Sequence, residues 1–189
     1  MRPVLLVLCL LAGALQVQAQ APFSTLEFQV LTTSNVNRNL LHEYWRPGRG
    51  GTITLATPFY WGITETGATI HRYNAARDVP GFGAFWVFAG WSVDWRLKST
   101  IAVRPGLRLG NYRMSFDGAE TTFAGVSTES DLVLSGGVAI SAAIGPTWGV
   151  SARADYLRVH TTPLLRLWYV SGGLAVRIPA GRRLRALLE

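Results

Sequence analysis

The chain has 189 residues, of which 49% are hydrophobic and only 15% charged, with a formal net charge of +7. That is well under the quarter of charged residues a soluble domain normally carries on its surface. A single cysteine, Cys9, excludes a disulfide framework or a thiolate metal site. The basic excess is almost all arginine, 17 Arg to one Lys, scattered singly along the chain. No basic stripe interleaves with aromatics, so nucleic acid is not an expected partner.

The first residues, MRPVLLVLCLLAGALQVQAQA, place Arg2 before an apolar run from Val4 to Leu15 and then small residues. This is the layout of a secretory signal peptide over residues 1–19, with cleavage after Ala19 or Ala21. Beyond it no stretch approaches the 18 uninterrupted apolar residues that a membrane helix needs. A secreted, charge-poor, aromatic-rich and glycine-rich chain without such a helix points to strands that close their hydrogen bonds on one another within a membrane.

Period-two alternation carries that reading along the chain. Residues 24–34 set Leu26, Phe28 and Val30 against Glu27 and Gln29. Residues 51–62 set Ile53, Leu55, Phe59 and Trp61 against Thr52, Thr54 and Tyr60, with Pro58 expected at a bulge because proline cannot donate to a ladder. Residues 64–74 set Ala68 and Ile70 against Glu65, Thr69, His71 and Tyr73. In AFWVFAGWSVDWRL, residues 84–97, the odd positions from Phe85 to Leu97 are all apolar. The even positions there shade from Trp86 and Phe88 through Gly90 and Ser92 to Asp94 and Arg96. A helix would mix the two sets, whereas a strand gives each its own face. Residues 100–116, 131–144, 148–159 and 164–178 repeat the pattern, with Arg104, Arg108, Arg153, Asp155 and Arg177 on the polar side. That makes eight strands. The connections at residues 35–50, 75–83, 117–130 and 160–163 are long or polar, and those near residues 62–63, 98–99 and 145–146 are tight. Trp61, Trp95 and Trp148 all fall beside tight turns and form one aromatic girdle in this topology.

This pattern resembles the small eight-stranded outer-membrane β-barrels, such as the transmembrane domain of outer membrane protein A. The resemblance covers the chain from residue 22 to 178 and is architectural, with no short diagnostic motif. It implies an all-β, antiparallel, up-and-down transmembrane barrel in the bacterial outer membrane, with termini and short turns periplasmic. It implies as partners outer-membrane lipids, lipopolysaccharide and the outer-membrane assembly machinery. Such barrels commonly end on an aromatic residue, whereas this chain closes its last strand on Ile178 and continues as a basic tail, residues 179–189.

An eight-stranded barrel is too narrow for an open pore, so its interior is filled by side chains. The inward set is Glu27, Glu65, Asp94, Asp155, Arg96, Arg104, Arg108, Arg153 and Arg177. Buried charges must pair, and the planar arginine fork suits that better than lysine. Asp94 is expected to pair with Arg104, Arg108 or Arg153. The alternative for these charges is a narrow ion path. The expected product is a filled polar lumen with no cofactor and no metal.

The expected role is structural or adhesive, carried by the loops. His42, Tyr44, Trp45, Arg46 and Arg49 in LLHEYWRPGRGG are the recognition candidates. Tyr44 and Trp45 equally suit the outer interfacial belt, and Arg46 and Arg49 a contact with lipid phosphate. Two rival functions stand beside this one. A lipid A-modifying enzyme would draw a triad from Ser130, His71 and Glu129. A soluble periplasmic lipocalin-like barrel would bind lipid inside.

Overall fold

The computed structural model describes residues 21–39, 41–118, 128–162 and 164–181. The signal segment, most of the third long loop and the basic tail from residue 182 lie outside the described residues. Eight antiparallel strands form one closed ring: β1 (Thr25–Asn35), β2 (Trp45–Phe59), β3 (Gly62–Ala75), β4 (Phe82–Val93), β5 (Ile101–Phe116), β6 (Thr128–Ala143), β7 (Trp148–Val159) and β8 (Leu165–Pro179). Each strand pairs with the next, and β8 returns to β1 from Thr25↔Pro179 to Asn35↔Tyr169. β4 resumes after Asp94 as Trp95–Arg96, opposite Val103 and Ala102 of β5, in the register of its first part.

Closure leaves no strand edge unpaired, which is what a backbone in hydrocarbon requires. The alternation of the sequence becomes two surfaces. Outward on successive strands stand Phe28 and Val30, Ile53 and Leu55, Ile70, Phe85 and Val87, Leu107 and Leu109, Leu132 and Leu134, Val150, and Val170 and Leu174, all exposed. A belt of that extent is far beyond the apolar patches of a soluble monomer. It sets aside the soluble lipocalin-like alternative and identifies the wall as lipid-facing. Two-residue and four-residue connections (residues 60–61, 97–100 and 144–147) lie at one end of the ring with Thr25 and Pro179, and the longer ones lie at the other. Among outer-membrane barrels the short turns are periplasmic and the long loops extracellular.

Three local expectations change. Residues 35–50 are not all loop. A single helical turn α1 (Leu41–Tyr44) leads directly into β2, whose first residues pair with the far end of β3 from Trp45↔Ala75. The irregularity in β2 falls between Pro47 and Gly50, not at Pro58, which stays paired with Ile63. Pro58 is tolerated because the β1–β2 ladder ends at Glu27↔Ala56, and beyond it the Thr57 hydroxyl donates to Thr25 O at 2.9 Å. The first tight turn is Tyr60–Trp61, with Tyr60 in the left-handed region at φ 52°.

Candidate functional site: a stratified lumen and a loop-end rim

The inward side chains are sorted by depth. At the turn end Arg104 sits at the centre of a cluster. Its Nε donates to Asp94 Oδ1 at 2.7 Å and its Nη1 to Glu27 Oε1 at 2.8 Å. Arg177 Nε donates to Glu27 Oε2 at 2.7 Å, and Arg96 Nε to Asp94 Oδ2 at 3.2 Å. Three guanidiniums thus meet two carboxylates. Arg96 reaches towards solvent, while Asp94 is buried. A cavity of about 160 Å³ opens here, lined by these five groups together with Lys98.

Deeper in the wall, Arg108 donates through Nε to Glu65 and through Nη1 to Asp155, and Arg153 Nη2 donates to Glu65 Oε2 at 2.7 Å. Two cations balance two anions, all with side chains no more than 5% exposed. The Arg108 fork, its donors held apart in one plane, spans two separate carboxylates with a geometry that a compact ammonium matches less well. Gly90 makes room for Arg108, since a Cβ there would come within 2.6 Å of Arg108 Cγ and of Leu107 O. The Arg108 guanidinium also lies 5.8 Å from the ring centre of Phe88.

Above the ion pairs runs a chain of hydroxyls across four neighbouring strands. Ser171 meets Thr33 at 2.9 Å, Thr33 meets Thr52 at 2.7 Å, and Thr52 meets Thr69 at 2.9 Å. The loop half of the lumen is then aromatic and apolar. Tyr73, Phe82, Trp86, Phe88, Tyr112, Val133, Leu157, Leu167 and Tyr169 form one buried cluster. The Tyr73 and Tyr169 hydroxyls meet at 2.9 Å, and Tyr112 joins them at 3.4 Å. The expectation of a polar lumen therefore holds for the turn half only. The parity of Tyr73, Trp86, Phe88 and Tyr169 on the inward face was the signal for the plug above it.

The loop candidates are divided by this plug. Trp45 does not lie in an outer belt. It roofs the lumen, edge-on to Phe82 at 5.4 Å, with its indole N–H donating to Pro80 O at 2.7 Å. His42 is tied to Asn39 Oδ1 at 2.7 Å and Asn35 Oδ1 at 2.8 Å, which braces the helical turn. Burial holds its imidazole below the ordinary histidine range, with Arg38 adding to the effect against an opposing hydrogen bond to the Asn39 backbone. Tyr44 carries the Arg77 guanidinium 5.3 Å from its ring centre. Arg46 and Arg49 are exposed. Of the three tryptophans beside tight turns, Trp61 and Trp148 are exposed to the membrane side, at 63% and 55%, and Trp95 is half-buried.

His71 and Ser130 are not brought together. His71 is buried inside β3, stacked on Tyr169 at 4.8 Å. Ser130 is exposed on β6 and donates to Asn111 Oδ1 at 2.9 Å. The wall separates the two, so the Ser130–His71–Glu129 arrangement does not form. Among the described residues no cluster of three His, Cys, Asp or Glu side chains is placed to hold a metal ion.

No protein-family model matches the sequence, and no curated protein matches it. Solved structures do match the fold. Neisserial surface protein A aligns with a TM-score of 0.62 at 16% identity, covering 85% of this chain and all of that one. Ail, the attachment invasion locus protein of Yersinia pestis, in complex with the heparin analogue sucrose octasulfate, aligns at 0.53 and 12% identity over 84% of this chain and all of its own. The N-terminal β-barrel domain of Pseudomonas aeruginosa OprF aligns at 0.54 and 8% identity, again over 84% of this chain and all of that one. The shared architecture is the small eight-stranded outer-membrane barrel.

Proposed function

We propose that this outer-membrane barrel is a closed, non-conducting anchor whose work is done at its loop end, in a structural or adhesive role. The observation that carries this reading is the stratified plug. Paired charges, a hydroxyl chain and a roofed aromatic cluster occupy successive depths of the lumen. Buried ion pairs hold their partners tightly when every charge is satisfied, so the interior acts as packing rather than as a path for ions.

The loop end then offers the surface for binding. Exposed Arg38, Arg46, Arg49 and Arg77 stand there beside Glu43 and Asp78. The architecture is shared with an attachment protein crystallised with a sulfated heparin analogue, which supports anionic glycan as a probe. Two measurements test the reading. In planar bilayers the folded chain should produce no discrete conductance steps, and steady open-channel current would overturn it. Proteoliposomes carrying the chain should bind heparin beads in a salt-sensitive way, and Arg46→Glu with Arg49→Glu should abolish that binding. Binding that survives both charge reversals would remove the loop-end part of the proposal.

A further inference from the structure

We propose that the outer wall of β7 and β8, at the loop-side edge of the apolar belt, holds the phosphate of an outer-leaflet lipid headgroup between Arg158 and Arg166. The starting observation is register. Arg158 lies directly opposite Arg166 in the β7–β8 ladder, and both are exposed. Directly opposed side chains on a sheet start from Cβ atoms roughly 4.5–5.5 Å apart, and like charges so placed repel. Among the described residues neither guanidinium has a carboxylate partner. On the β6 side the residue facing Arg158 is Leu134. The acids of this rim, Glu129 and Asp131, share the parity of buried Val133 and Ser135 and so belong to the inner face. No described residue relieves the repulsion, which becomes attraction once an anion sits between the two forks.

What lies beneath identifies the anion's carrier. The next outward pair towards the turns is Tyr156↔Trp168, with rings 5.1 Å apart, and the pair after that is Ala154↔Val170. Apolar, aromatic and cationic pairs thus follow one another at intervals of about 7 Å, two strand residues. That is the order a leaflet presents from acyl chain through interface to phosphate. A free phosphate would have no use for the aromatic step, whereas a lipid would cover all three. The rim is also held in place. Asn37 and Asn39 both donate from Nδ2 to Arg166 O, at 3.1 and 2.7 Å, and the Trp168 amide donates to Asn37 Oδ1 at 2.8 Å. Arg166 is therefore anchored by its backbone before any ligand arrives, and Arg158 by the β7–β8 ladder, which lowers the ordering cost of binding.

The test uses the full barrel folded in a nonionic detergent, titrated with bisphosphorylated lipid A, with enzymatically dephosphorylated lipid A, and with inorganic phosphate, and read by native mass spectrometry. The wild-type chain should retain one bisphosphorylated lipid A. Arg158→Gln with Arg166→Gln should weaken retention at least tenfold, while Arg158→Lys with Arg166→Lys should keep most of it. Arg113→Gln, exposed on β5 two strands away from β7, should change nothing. Thermal unfolding supplies a second readout. Without phospholipid, Arg166→Gln should leave the unfolding temperature unchanged or raise it, because repulsion is relieved. With bisphosphorylated lipid A the same variant should unfold at a lower temperature than the wild type. Equal retention of the dephosphorylated lipid, unchanged retention by the glutamine pair, or saturation by inorganic phosphate alone at the lipid's concentration would each overturn the proposal. Heparin binding through Arg46 and Arg49 is unaffected by these outcomes, so the two readings fail separately.

Discussion

Replacing Arg108 by Met is the most direct probe of the buried ion pairs. Among the described residues Arg108 alone donates hydrogen bonds to both Glu65 and Asp155, with its side chain 1% exposed, while Arg153 acts on Asp155 only through its charge. Met keeps much of the volume and removes the charge. Glu65 retains Arg153 at 2.7 Å, but Asp155 loses its only hydrogen-bonded cation among the described residues. Breaking one partner out of a buried pair costs about 3–5 kcal/mol, because the remaining charge is left uncompensated. Loss of the cation–π contact with Phe88 adds about 0.5–1 kcal/mol. The expected loss for Arg108→Met is therefore about 5 kcal/mol, the middle of the summed range. Adding Asp155→Asn removes the stranded charge and leaves Glu65 with Arg153 as a neutral pair. The double variant should recover at least half of the loss, and a double-mutant cycle should report a coupling of about 2 kcal/mol or more. Urea unfolding of barrels folded into liposomes measures each term. Arg108→Met within about 1 kcal/mol of wild type, or a double variant no more stable than the single, would refute the account of the lumen as interlocked charges.

Other perturbations test other layers. Val87→Arg, on the lipid face of β4, should cost roughly 2–4 kcal/mol in bilayer folding, whereas Ser92→Asn, on the inner face, should insert normally. Gly90 is no use as an inner-face probe, since any side chain there collides with Arg108. Trp45→Ala should destabilise by about 3 kcal/mol, the low end for a tryptophan since Trp45 is half-buried, and speed hydrogen exchange at the amides of α1 and the first residues of β2. His42 should make the loop end pH-sensitive. Its folded-state affinity for protons is lowered, so the unfolded state binds more protons just below the ordinary histidine value. The stability it contributes is full above pH 6.5 and falls as pH drops below that value. His42→Gln should remove the corresponding change in loop-end hydrogen exchange between pH 7.5 and pH 5.

Parity along the strands was legible because each inward or outward choice is made locally. Residues 148–159 show alternation without a break and form a strand with those same bounds. Residues 45–50 read as loop because Pro47, Gly48 and Gly50 interrupt the pattern. They join the sheet only because β3 extends far enough to pair with them across a register shift. Depth was not legible, because parity says whether a side chain is inside and not at what height. Height depends on how neighbouring strands are staggered. Asp94 had three candidate arginines, and the β4–β5 register, bracketed by Ser92↔Gly106 and Trp95↔Val103, brings Arg104 across from it. The same stagger places Tyr73, Tyr112 and Tyr169 from three separated strands at one level. Arg158 and Arg166 could be read as outward singly, but not as opposed until β7 and β8 were paired.

The junction of β1 with β8 joins the two ends of the strand series, partners such as Thr25 and Pro179 standing more than 150 positions apart. This closure pairs the most distant parts of the strand series and is the one most exposed to error, since long-range pairing is slow. The lumen supplies two checks along it. Arg177 of β8 grips Glu27 of β1, and Ser171 of β8 meets Thr33 of β1. A slip of β8 by one residue would turn Arg177 and Ser171 to the lipid side, away from Glu27 and Thr33, and a slip by two would part each from its mate by about 7 Å. Misaligned closure thus loses an ion pair and a hydrogen bond together, so the join works as a keyed lock that admits one alignment of the chain's two ends.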